Sequence, residues 1–191
     1  MPSPLEADPR PLTGEPLSIE LLNTRWIDAE GRHDLLDSVA GLAVWLDSPP
    51  VRQSLGDRPV PADENTLARL LQARVALDRA VRALGRPAPD AVTALNDVLA
   101  HGVVRHVLGP DGRPDTVVEV DAPSWLPAWS AAENFLRLLA DRPDRIRPCA
   151  NDACVLHFYD VSKNGTRRWC SMAGCGNRAK ARRHYARNNP L

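Results

Sequence analysis

All four cysteines of this 191-residue chain, Cys149, Cys154, Cys170 and Cys175, stand in one short stretch. They form two C-x4-C pairs with fifteen residues between them. Thiolates are soft donors, and two close pairs joined by a returning loop can supply the four corners of a tetrahedron. An iron–sulfur centre uses the same donors, but two short knuckles match the closed geometry of zinc better. The pattern therefore predicts one structural Zn2+ on all four cysteines, with no open position for a reacting water. In a cytoplasmic chain, clustering of this kind reads as metal before it reads as disulfides. His157 and His184 are bystanders in this reading, because the cysteines already fill the tetrahedron.

Basic residues crowd around the same cysteines. The whole chain is neutral, with 24 basic and 24 acidic side chains. Up to Asp144 it carries 14 arginines and no lysine against 22 acids, a net of −8. From Arg145 onward ten basic residues face only Asp152 and Asp160, a net of +8. Such asymmetry points to a module that meets nucleic acid or an acidic surface. Four thiolates and one Zn2+ lower the module to about +6 and the chain to about −2.

Beyond the second cysteine pair runs RAKARRHYARN, with Asn177 as the expected N-cap and a helix over residues 178–187, about 15 Å long. Arg178, Lys180, Arg182, Arg183 and Arg187 are the candidate nucleic-acid contacts on that helix, and Ala181 and Tyr185 are its expected packing stripe. Arg167 and Arg168, in the loop with Lys163 beside Trp169, are candidates in support.

The elements that position this module are mostly helical. Leu17–Leu22 reads as a strand or a first helical turn. Leu35 to Leu46 keeps helical spacing and ends at Pro49–Pro50. The clearest helix spans residues 63–84, with Leu67, Leu70, Leu71, Val75, Leu77, Val81 and Leu84 inward and Gly85 as its stop. Residues 90–100 form another, with Val92, Leu95, Val98 and Leu99 inward. The period then changes: residues 103–108 and 116–120 are β-branched runs around GPDGRPD, a hairpin signature. A last helix over residues 125–140 carries Trp125, Leu126, Trp129, Phe135, Leu136 and Leu139. Trp26, Trp45, Trp125 and Trp129 are read as core. His33, His101 and His106 read as isolated surface or hairpin residues. The fold class is thus mainly α: a disordered arm over 1–14, a helical domain with one β-hairpin over 15–144, and a small four-cysteine finger with a basic helix over 145–191. DRPDRIRP, ending at Pro148, reads as a short polar linker.

The stretch RPCANDAC, followed by NGTRRWCSMAGCGNRAKARR, resembles the CGNR-type zinc finger, whose signature stands here as Cys175, Gly176, Asn177 and Arg178. LSIELLNT near Leu17 and the later helix–hairpin–helix order are similar to the ABATE domain that precedes this finger in its family. The resemblance implies a largely helical N-terminal domain of stress-induced bacterial transcription regulators, four cysteine ligands for zinc, and a finger that binds DNA.

The resulting expectation is a zinc-dependent DNA-binding transcription regulator. Its helical domain would serve for sensing, dimerisation or partner contacts, with DNA and a homo-oligomer as the expected partners and an effector of unspecified chemistry. Rival readings are a module for RNA or an acidic protein, and a thiol-based redox switch. An enzyme is not expected, since no Gly-x-Ser-x-Gly, phosphate-cradling glycine loop or His-Glu-x-x-His occurs. The start has no basic region followed by an apolar stretch, and no run approaches the ~18 apolar residues of a span, so the expected location is cytoplasmic, away from membranes.

Overall fold

The computed structural model describes residues 7–86 and 88–188, with backbone alone at 183, 184 and 186–188. Helix α1 (Leu17–Leu22) lies at the centre, and all six of its residues are buried. Around it pack α2 (Val39–Asp47), α3 (Pro49–Leu55), α4 (Glu64–Arg82), α5 (Pro89–Leu99) and α6 (Leu126–Asp141). Pro49 and Pro50 end α2 as expected, and they also open α3, where fixed φ and missing amides suit the first helical positions. Helix α4 starts at an N-cap in which Asp63 accepts a hydrogen bond from the Thr66 amide at 2.8 Å.

The α4 stripe differs from expectation at one place. Val75 is exposed and its neighbour Arg74 is buried. Asp34 accepts two bonds from the Arg74 guanidinium, at 2.6 and 2.8 Å, and the Thr24 hydroxyl accepts a third at 2.8 Å. That satisfaction lets a charge replace an aliphatic side chain on the inner face. Val92 on α5 and Leu136 on α6 are also exposed, whereas all four tryptophans of the helical part are buried.

Strands β3 (Gly102–Leu108) and β4 (Pro114–Val120) form the expected antiparallel hairpin. A shorter one, β1 (Arg25–Ile27) with β2 (Arg32–Asp34), went unread because three residues per strand carry no alternation. Gly102 is required where β3 leaves α5: a Cβ there would lie 2.7 Å from Nε1 of Trp129. That indole nitrogen donates to the Leu99 carbonyl at 3.0 Å, so the ring cannot retreat without losing its bond. Gly102→Ala is expected to destabilise the chain by about 1–3 kcal/mol, measurable by thermal denaturation.

Two expectations about connecting segments are corrected. The expected disordered arm is anchored at two points: Arg10 is buried, with its guanidinium on Asp8 and Glu20, and Leu12 packs against the core. Residues 1–6 lie outside the described residues. The polar linker ends in strand β5 (Ile146–Pro148), which pairs antiparallel with β6 (His157–Tyr159). Ile146 and Phe158 are buried in a core continuous with that of the helices. Histidines 33 and 101 are not isolated either. His33 stacks on Trp26 and bonds Asp28, and His101 stacks on Trp125 and bonds Asp121.

Candidate metal centre and basic helix

Strands β5 and β6 bracket the first cysteine pair. The Cys149 amide donates to the Leu156 carbonyl at 2.9 Å and the Cys154 amide to the Asn151 carbonyl at 2.7 Å, folding residues 149–154 into a tight knuckle. The second knuckle is the start of a helix. The Ser171 hydroxyl accepts from the Gly174 amide at 3.2 Å, and a wide turn over Met172–Gly176 leads into α7 (Asn177–Asn188). Ser171, rather than Asn177, is therefore the cap. Asn177 already has helical φ and ψ, and its side chain donates to the Ala173 carbonyl. Cys175 thus sits in the first turns of a helix, where the dipole favours a thiolate.

The four sulfurs lie within 4.8 Å of one another, and those of Cys154 and Cys170 are 3.8 Å apart. A ZnS4 tetrahedron with Zn–S bonds of about 2.3 Å has edges of about 3.8 Å, so the cluster suits one zinc ion. Cys149, Cys170 and Cys175 are buried and Cys154 is half-buried. The thiol of Cys170 donates to Cys154 and drives it down to about 5 against its burial. The same hydrogen bond, with burial, pushes Cys170 up. Burial also raises Cys149 despite the amides of Cys170 and Asn151 that face it. The cluster accepts one negative charge readily and resists the next. A divalent cation removes that repulsion, which is the chemistry this donor set fits. His157 is no part of the cluster. Its burial holds the imidazole below its ordinary value. The His184 side chain lies outside what is described.

Asn151 had no signal in the sequence. It is buried, its Nδ2 donates to the Cys175 sulfur at 3.4 Å, and its Oδ1 accepts from Arg182 at 3.0 Å. The Cys170 amide donates to the Cys149 sulfur at 3.4 Å in the same manner. Bonds of this kind orient ligands, and losing one commonly costs ten- to a hundredfold in metal affinity. Asn151→Ala is expected to weaken zinc retention by about tenfold or more in competition with a chromophoric chelator.

The basic candidates divide into two groups. Arg167 is committed to structure. Its guanidinium donates to the carbonyls of Trp169 and Cys170, pairs with Glu15 at 3.0 Å and lies over the Phe158 ring. Those contacts occupy its guanidinium, which leaves it less available to a nucleic acid than the other basic candidates. Arg145 and Arg147 are similarly occupied by the buried Asp160 and nearby carbonyls. Burial pushes Asp160 upward, but bonds from Ser162 and Arg167 and the Arg147 charge outweigh it and hold the carboxyl low. The second group is exposed. Arg168, Arg178, Lys180 and Arg182 have no carboxylate partner among the described residues, although Arg168 lies over the Trp169 ring and Arg182 bonds Asn151. Cys175 and Gly176 in the turn before α7 are buried, as is Ala179 within it; Ala181 and Tyr185, expected to pack, are exposed. The side chains of Arg183 and Arg187 fall outside the description.

The finger is docked on the helical part through β6. The Asn23 side chain donates to the His157 carbonyl at 3.0 Å and accepts from its amide at 2.9 Å. Glu15 accepts from the Tyr159 amide at 2.8 Å. These side chains cover an edge that would otherwise leave backbone groups unpaired.

Residues 15–142 match the family model ABATE, described as "Putative stress-induced transcription regulator". That is two thirds of the chain. The chain belongs to the ABATE family. Residues 145–188 match the CGNR zinc finger, so the ABATE protein carries its four-cysteine cluster inside a recognised zinc-finger module. Neither description names an enzyme. No curated protein matches the chain. Among the described residues, no helix is long and apolar enough to cross a membrane.

Proposed function

We propose that this ABATE protein is a zinc-dependent, DNA-binding transcription regulator acting in the cytoplasm. Cys149, Cys154, Cys170 and Cys175 hold one structural zinc, and Arg168, Arg178, Lys180, Arg182, Arg183 and Arg187 meet the DNA. The observation that carries this reading is a basic helix continuing directly from the last ligand of a cluster with ZnS4 spacing. The metal, when bound, ties the two knuckles together and offsets the thiolate charge. The chain itself orients the helix: Cys175 and Ala179 turn inward, and Arg178 and Lys180 are exposed, where they can displace counterions from phosphates. The N-terminal domain, over residues 15–144, serves for sensing or dimerisation.

Fluorescence anisotropy with duplex DNA at stated salt, with and without chelator, tests the reading. Replacing Arg178 and Lys180 together, and leaving Arg182 on Asn151, is expected to lower affinity and to reduce the salt slope by about one per lost phosphate contact. Undiminished binding by that variant, or by the chelated protein, would overturn it. Equal binding to any duplex or RNA, without sequence preference, would favour a general polyanion module instead.

A further inference from the structure

A cleft of about 590 Å3 lies where the β1–β2 hairpin, α4 and the first cysteine knuckle meet. Its size is that of an ordinary small-molecule site. Three features give it a chemistry. First, Arg25, Arg32, Arg74 and Arg82 stand on its walls against the single acid Asp78. Asp34 holds Arg25 and Arg74 through ion pairs and Asp78 holds Arg82 at 2.9 Å, so the neighbourhood remains cationic by two charges, with Arg32 outside any of these pairs. This lies inside a part of the chain whose net charge is −8, where a local excess of arginine runs against the surroundings.

Second, two of those arginines retain donors without partners. Arg32 is exposed and has no ion pair among the described residues. Arg74 is 2% exposed, and its Nε has no hydrogen-bond partner among the described residues. Third, Ile27, Val81 and Val155 supply apolar wall beside these charges. Burial of an apolar body with one charged end fixed by guanidinium is the usual division of labour in such sites.

We infer that this cleft binds a small organic anion, an apolar body ending in a carboxylate or similar group, with Arg32 as its main charge partner and Arg82, which Asp78 holds, beside it. The occupant touches both parts of the molecule. Trp26 and α4 form one wall, and Pro148, Cys154 and His157 of the finger form the other. Binding therefore adds contacts across the docking seam that Asn23 holds together.

Isothermal titration of the zinc-loaded full chain with naphthalene carboxylate, against the neutral naphthalene carboxamide, tests the site. Saturable binding of the carboxylate is expected, about tenfold or more tighter than the carboxamide. The double variant Arg32→Ala, Arg82→Ala should lose a similar factor without a change in melting temperature, because both side chains lie on the surface. No saturable carboxylate binding, equal binding of carboxylate and carboxamide, or undiminished binding by the double variant would each overturn the assignment. The readout involves no DNA, so its outcome is separate from that of the proposed function.

Discussion

Replacing Cys175 with serine is expected to cost the chain its zinc and the order of α7, while the helical N-terminal part stays folded. Structural zinc contributes about 10–16 kcal/mol in isolated finger peptides, most of it folding free energy. The effect here should be uneven along the finger. The β5–β6 half is held independently of metal by Ile146 and Phe158 in the common core and by Asn23 and Glu15 on the β6 edge. Beyond Cys170 the chain has less to hold it. Helix α7 has twelve residues, and a helix of that length is marginal alone. Among its described side chains only Ala179 is buried. Zinc stoichiometry should fall well below one, and hydrogen exchange should show α7 amides losing protection while those of α4 keep theirs. One equivalent of retained zinc with a protected α7 would refute the metal's part in holding the helix.

The cysteine pairs were legible because ligand spacing is local: four residues between thiols already describe a knuckle. The helices α4, α5 and α6 were legible for a related reason, since a stripe repeats every three or four residues. What the pattern could not convey was pairing at long range. Arg74 goes inward because Asp34, forty residues away, accepts two of its bonds, and a periodicity reading favours Val75 instead. Arg167 looks like any other exposed arginine until Glu15 and the Cys170 carbonyl are found beside it. Asn151 stands inside the first knuckle as an ordinary polar loop residue, and only the fold brings Cys175 and Arg182 to its two ends. Strands of three residues, as in β1, β2, β5 and β6, are shorter than the alternation needed to recognise them.

Arg10→Ala is expected to be the most damaging single change in the N-terminal part, from a residue the sequence placed in a loose arm. Glu20 lies on the fully buried α1, and the Arg10 guanidinium meets its carboxylate at 2.7 Å, with both side chains fully enclosed. The same guanidinium reaches the Glu20 carbonyl at 3.1 Å and Asp8 at 2.7 Å. Removing one partner of a buried pair strands the other charge, a loss of about 3–5 kcal/mol at neutral pH. The pH dependence follows from Glu20. Desolvation already raises its carboxyl above 4.5, although Arg10 and the Glu15 amide pull it down. The folded chain therefore holds that proton more tightly than the unfolded one. The resulting stabilisation is fullest at low pH and is lost as pH rises through the folded value. Without Arg10 the folded value climbs further, and a neutral Glu20 needs no counter-charge. The deficit of Arg10→Ala should accordingly shrink as pH falls toward the ordinary glutamate range, and Glu20→Gln in the same variant should recover much of it at neutral pH. Urea denaturation of the three chains at neutral and mildly acidic pH measures both effects. A deficit under about 1 kcal/mol, as for an exposed pair, or one that does not change with pH, would mean that Glu20 finds other compensation.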